Sequence, residues 1–166
     1  LIEGLGDDSR ESRLAAIQAV GMVGTDAAVD QLVEIIKKSD FQDERLAATM
    51  SLGFISNHSS VPFLISLLDD EEPNIRWDAA IGLAKMRSTA SVPTILKLMD
   101  RKYLMMFPEL DQNEITSVIL TAIETTSMMS VDEFEPNLVA LAKSDESLKV
   151  RDAAIKSLKK NYNKVI

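Results

Sequence analysis

A chain of 166 residues, 46% hydrophobic and 27% charged, is long enough for one domain with a sizeable core. Its net charge is −8 and its isoelectric point about 4.7, which argues against a nucleic-acid ligand, because phosphate binding needs clustered Lys and Arg. It contains no cysteine, which excludes disulfides, thiolate metal sites and cysteine nucleophiles, and no apolar run approaches the ~20 residues of a membrane span.

With six glycines, five prolines and 5% aromatic residues, the chain favours helices over a turn-rich β fold. Five repeats follow one another, at residues 1–24, 25–56, 57–88, 89–129 and 130–166. In the first, Ile2 and Leu5 read as the tail of a helix A, and Arg13 opens a helix B with Ala16 three residues on and Val20 seven on. The second places Asp30 before Leu32-Val33 and Ile35-Ile36, then Arg45, Ala48 and Leu52. The third runs Pro62, Leu64-Ile65, Leu67-Leu68, then Arg76, Ala79 and Leu83. The fourth runs Pro93, Ile95-Leu96, Leu98-Met99, an insertion from Tyr103 to Pro108, and a degenerate helix B at Thr116 with Ile119 and Ile123. Pro136, Leu138-Val139, Leu141-Ala142, Arg151, Ala154 and Leu158 form the fifth. The apolar spacing within each segment is helical, and proline suits a first helical turn, where its missing N–H costs nothing.

An acid stands five residues before each arginine, at Asp8, Asp40, Glu71 and Glu146. Arginine and acid at fixed offsets predict a polar ladder between adjacent repeats, which sets stacking register more than stability. Neither helix of a repeat buries its apolar face alone, so the core is continuous only when repeats stack.

The stretch Ile75-Arg76-Trp77-Asp78-Ala79-Ala80-Ile81-Gly82-Leu83 resembles the second helix of a HEAT-like repeat, of the short type found in phycobilisome-lyase relatives; Val150 to Ala154 and Arg45 to Gly53 are similar. The resemblance covers essentially the whole chain. It implies an all-α, right-handed α-α superhelix of about five two-helix repeats, with B helices lining a concave surface. It is specific for architecture and poor for function, since the motif residues are structural. Further repeats, or a partner, are expected ahead of Leu1.

At 100° per residue, the positions −1, +3, +7 and +10 from each arginine fall on the core side of helix B. Positions +1, +5 and +9 point away, toward the concave face. They read Leu14, Gln18, Met22; Leu46, Met50, Phe54; Trp77, Ile81, Lys85; Ser117, Thr121, Thr125; and Asp152, Lys156, Lys160. The first three repeats thus offer an apolar strip, and Met22, Leu46, Met50, Phe54, Trp77 and Ile81 are the candidate contacts for a helical or extended segment of a partner protein. Burial between neighbouring B helices is the competing account. A second candidate is Tyr103, Met105, Met106 and Phe107 in the insertion, expected to fold back over the repeats. The basic run Lys143, Lys149, Arg151, Lys156, Lys159, Lys160 and Lys164 reads as a solvated face.

Catalytic patterns are weak. His58 is the only histidine and lies in a turn beside serines expected to cap a helix. No phosphate loop is present, and Asp69 to Glu72 lack the alternation of a calcium loop. The expectation is therefore a non-catalytic interaction or scaffolding module without cofactor or metal, binding protein or peptide and neither nucleic acid nor membrane, with small ligands disfavoured and the cytoplasm the favoured compartment. The resemblance also implies an alternative, a bilin-lyase-like chromophore-binding protein; a structural spacer in a larger repeat protein is a third reading.

Overall fold

Proline, acids and capping side chains mark where each helix starts. The computed structural model describes residues 2–129 and 131–165; Leu1, Ser130 and Ile166, at which repeat bounds fall, lie outside the described residues. Helices and short turns account for the described structure, which divides into two compact units, Leu1–Ser91 and Val92–Ile166.

The first unit holds α1 (Arg10–Val23), α2 (Val29–Lys38), α3 (Gln42–Ile55), α4 (Val61–Ser66) and α5 (Pro73–Lys85). Helices α1, α3 and α5, the B helices, pack side by side, with α2 against α3 and α4 against α5. Ser9 caps α1, its side chain accepting from the Ser12 N–H, and Gly24 closes it at φ 72°, a left-handed conformation that glycine adopts without steric cost. Pro62 and Pro73 sit in the first turns of α4 and α5. The expected core alanines and aliphatics, Ala48, Ala79, Val20, Leu52 and Leu83, are fully buried, joined by Ile17, Leu32, Leu64 and Ile75.

Two close approaches fix the spacing of the B helices. A Cβ on Gly82 would lie 2.8 Å from the Gly53 Cα, and one on Gly21 would lie 2.4 Å from the Ser51 Oγ. The backbones of α3 and α5 therefore touch, and Ser51 in turn donates to the Ile17 carbonyl at 2.9 Å. Small residues at these registers let the helices approach closely enough to seal the core behind them.

The second unit holds α6 (Val92–Leu98), α7 (Arg101–Leu104), α8 (Gln112–Thr126), α9 (Glu135–Ser144) and α10 (Leu148–Tyr162). Helix α10 packs on α8 and α9, and α7 on α6 and α8. Asp111 and Glu114 form a reciprocal capping box at the start of α8. Phe134, Leu104, Ile115, Leu138 and Val150 are buried to 2% exposure or less.

The polar ladder exists, but the acids differ from those expected. Arg45 reaches Asp70 at 2.7 Å and Arg101 reaches Asp145 at 2.9 Å. Both acids stand six residues before the next arginine, one earlier than the expected register. Arg13 instead meets Glu44 at 2.8 Å, and Ser39, at the minus-six register of that repeat, donates to the same carboxylate at 2.7 Å. The minus-five residues Asp8, Asp40, Glu71 and Glu146 are exposed; among them only Glu146 joins a pair, an outlying one to Arg101 at 3.1 Å. The degenerate fourth repeat has Thr116 where the others have arginine. Arg101, at the start of α7, takes over that slot, and its guanidinium also approaches the Thr116 hydroxyl at 3.4 Å. The plus-ten register also departs from a uniform core: Met86 is buried, Ile55 half-buried and Val23 exposed.

Candidate functional site

The candidate strip runs across α1, α3 and α5, all within the first unit. Met22, Met50 and Phe54 are 82%, 43% and 57% exposed. Leu14, Leu46 and Ile81 are half-buried beside them. An apolar row that stays in water over two neighbouring helices marks an interaction surface better than scattered single residues do. Trp77 differs from the open position expected for it: it is buried at 6% exposure. Of the other candidate residues, Met22, Met50 and Phe54 face solvent, while Leu46 and Ile81 are only partly accessible.

One end of the row carries charge. The Lys85 ammonium lies 3.7 Å from the Phe54 ring centroid, a cation–π contact that holds the ring in place while leaving one side open. Glu11 and Asp43, two residues before Arg13 and Arg45, continue the same stripe toward the helix N-termini. Asp43 is bound by Arg10 at 2.5 Å, and that guanidinium holds its carboxyl below the ordinary carboxylate range. Asp78, half-buried on α5, is pushed up to about 7 by desolvation, with Lys85 opposing the shift. Sequence reasoning passed over its titration, because a lone Asp after a Trp carries no signal of its burial.

The insertion is divided. Leu104 is fully buried, while Tyr103 and Phe107 are half-buried and meet edge to face at 5.2 Å. Met105 and Met106 remain 58% and 74% exposed. Beside them a cleft of about 600 Å³ opens between α7 and α9, lined by Met99, Lys102, Met105, Asn137, Leu141 and Glu146 among others. The Arg101–Asp145 pair lies in its wall. Of the two methionines in the turn after α8, Met129 is buried and Met128 is 36% exposed.

Elsewhere, His58 is exposed in a turn whose cap is Asn57, its side chain accepting from the Ser59 N–H at 2.8 Å. Lys143, Lys149, Lys156, Lys159 and Lys160 are exposed, and Lys156 pairs with Asp152 at 2.6 Å. Among the described residues, no three His, Asp or Glu side chains converge as a metal site. No helix among them is long and apolar enough to cross a membrane.

The all-helical repeat architecture agrees with comparisons to known proteins. The family model for HEAT repeats matches residues 1–53 and 29–103, and the chain belongs to that family. A solved structure of the complex of CpcE and CpcF of phycocyanin lyase from Nostoc sp. PCC7120 is similar, with a TM-score of 0.73 and 21% identity. The likeness covers 98% of this chain and 64% of that one, so the present chain spans less than two thirds of its length. This likeness supports the α-α superhelical repeat fold expected from the sequence. No curated protein sequence matches the chain.

Proposed function

We propose that this chain is a non-catalytic protein-interaction module whose exposed face across α1, α3 and α5 receives a segment of a partner protein. The observation that carries the reading is the solvent-exposed row Met22, Met50 and Phe54 on adjacent helices. Burying a Met or Phe side chain contributes about 1.5–3 kcal/mol. Three such anchors offset much of the rotational and translational cost of association. Methionine adapts its shape to a partner, while Phe54 offers a rigid ring steadied by Lys85.

The test is site-specific capture. A photo-crosslinking residue at position 50 or 54 should trap a defined partner segment from cell extract, and one at Gln31, on α2, should not. Met50→Asp with Phe54→Asp should abolish recovery of that partner, with helicity unchanged by circular dichroism. Equal recovery by wild type and the double variant would remove the face as the binding site and favour a spacer role.

The likeness to the phycocyanin lyase complex favours a second reading, a chromophore-binding protein. It predicts a shifted absorption band when a linear tetrapyrrole is added to the purified chain. A chain that leaves the chromophore spectrum unchanged disposes of it.

A further inference from the structure

The interaction face is polarised along its helices, and the unit that carries it is strongly acidic. Residues 1–91 hold 15 acidic and 8 basic side chains. Acids crowd at the N-terminal ends of the B helices: Asp8 and Glu11 before and within α1, Asp40 and Asp43 at α3, Asp69 and Glu71 ahead of α5. Several of the unit's cations are already engaged: Arg10 with Asp43, Arg13 with Glu44 and Arg45 with Asp70. Asp8, Glu11, Asp40, Asp69 and Glu71 are exposed. The apolar residues Met22 and Phe54 lie at the opposite, C-terminal ends of α1 and α3. About ten residues separate the two zones on each helix, which is ~15 Å at 1.5 Å per residue.

Building on the reading above, we infer that the occupant of this face is a basic amphipathic helix of a partner protein, lying across α1, α3 and α5. Its apolar edge rests on Met22, Met50 and Phe54, and its lysine- or arginine-bearing flank faces the acidic N-terminal rim. An α-helix with side chains is roughly 10–12 Å across, which fits within the ~15 Å between rim and row and leaves room for its basic side chains to reach the rim. An acidic helix would be repelled by the rim, and like-charge juxtaposition is an effective bar to wrong partners.

The experiment uses the whole chain and two fluorescein-labelled helical peptides of about 18 residues. Both carry leucines at helical spacing; one has lysines on its flank, the other glutamates. Anisotropy titrations are run at about 0.05 M and about 0.5 M salt, conditions that separate screened from unscreened contacts. The lysine peptide should bind at least about tenfold tighter than the glutamate peptide at low salt, and the gap should narrow at high salt. Met50→Ala with Phe54→Ala should weaken its binding about tenfold or more at both salts. Asp8→Lys with Glu11→Lys should erase the preference for lysine, whereas Glu109→Lys with Glu133→Lys, in the second unit, should not. Equal binding of the two peptides with retained dependence on Phe54 overturns the basic partner and leaves the interaction face standing. Tight binding of the lysine peptide that ignores Met50 and Phe54 is surface adsorption and overturns the proposal. Absence of any binding that depends on those two residues overturns both readings.

Discussion

The contact between α3 and α5 gives the sharpest prediction, because local and tertiary effects point in opposite directions. Gly82 and Gly53 both lie inside helices. In an exposed helix, Gly→Ala is worth up to about 1 kcal/mol in favour of folding. Here the new Cβ of Gly82→Ala would lie 2.8 Å from the Gly53 Cα, and both atoms belong to backbone or its first carbon, so neither rotates away. Relieving the overlap to an ordinary contact of about 3.6 Å pushes the helices apart by ~0.8 Å, enough to forfeit a quarter to a half of the dispersion energy along the seam. Overpacking of this kind costs about 1–3 kcal/mol. After the propensity gain of about 1 kcal/mol is deducted, we expect Gly82→Ala to be destabilising by up to about 2 kcal/mol in urea unfolding. Trp77, buried and the only tryptophan, serves as the optical probe beside circular dichroism. Gly53→Ala should behave alike, since its Cβ would meet the Gly82 Cα at 2.9 Å. The double variant should depart from additivity, because the two substitutions share one contact. A Gly82→Ala variant as stable as the wild type, or more so, would refute the claim that backbone contact sets the spacing of these helices.

Two further predictions follow from buried charge. Arg101→Ala leaves Asp145, whose side chain is 3% exposed, without its guanidinium; loss of one member of a buried pair costs about 3–5 kcal/mol. Adding Thr116→Arg, which restores arginine at the repeat register, should recover part of that loss in urea titrations, and no recovery would sink the view that Arg101 stands in for the missing arginine. Asp78 holds its proton up to about pH 7 in the folded chain but ionises near 3.8 when unfolded. The folded state therefore binds more protons between those values, and this residue's contribution to stability falls as pH rises from about 4 to about 7. Asp78→Asn should remove a penalty on the order of 2–4 kcal/mol at pH 7 and leave the low-pH stability unchanged; parallel stability–pH curves for the two proteins would contradict this.

The repeat architecture was legible because positions three and seven after each arginine must be apolar in every copy, and five copies reinforce one another. The ladder was legible only as a kind of contact. An acid five residues before the arginine and one six before look alike in sequence, yet the turn points one into the solvent and the other at the neighbouring repeat, as Glu71 and Asp70 show. Arg101 escaped notice because it lies just ahead of the insertion, outside the repeat register, and serves a helix position fifteen residues on. Trp77 shows the limit of a helical wheel. It shares its register with Leu14 and Leu46, which are half-buried, but the wheel gives the direction of a Cα–Cβ bond and not how much of a large side chain remains in water.

The same comparison separates what each register does. In the first unit, plus-six and plus-eight are held small by backbone contact between B helices, as Ser51, Gly53 and Gly82 show; in the second unit the plus-eight residues Glu124 and Lys159 are large and exposed. Plus-five and plus-nine touch no structural constraint of that kind, and their chemistry changes along the chain from Met50 and Phe54 to Thr121 and Thr125 and then Lys156 and Lys160. A single exposed Met or Phe is ordinary on a protein surface, so the contiguous row and not any one residue carries the argument. Exposed apolar side chains at Met22, Met50 and Phe54, next to an acidic rim, are what a surface needs if it excludes acidic chains and retains a basic amphipathic one.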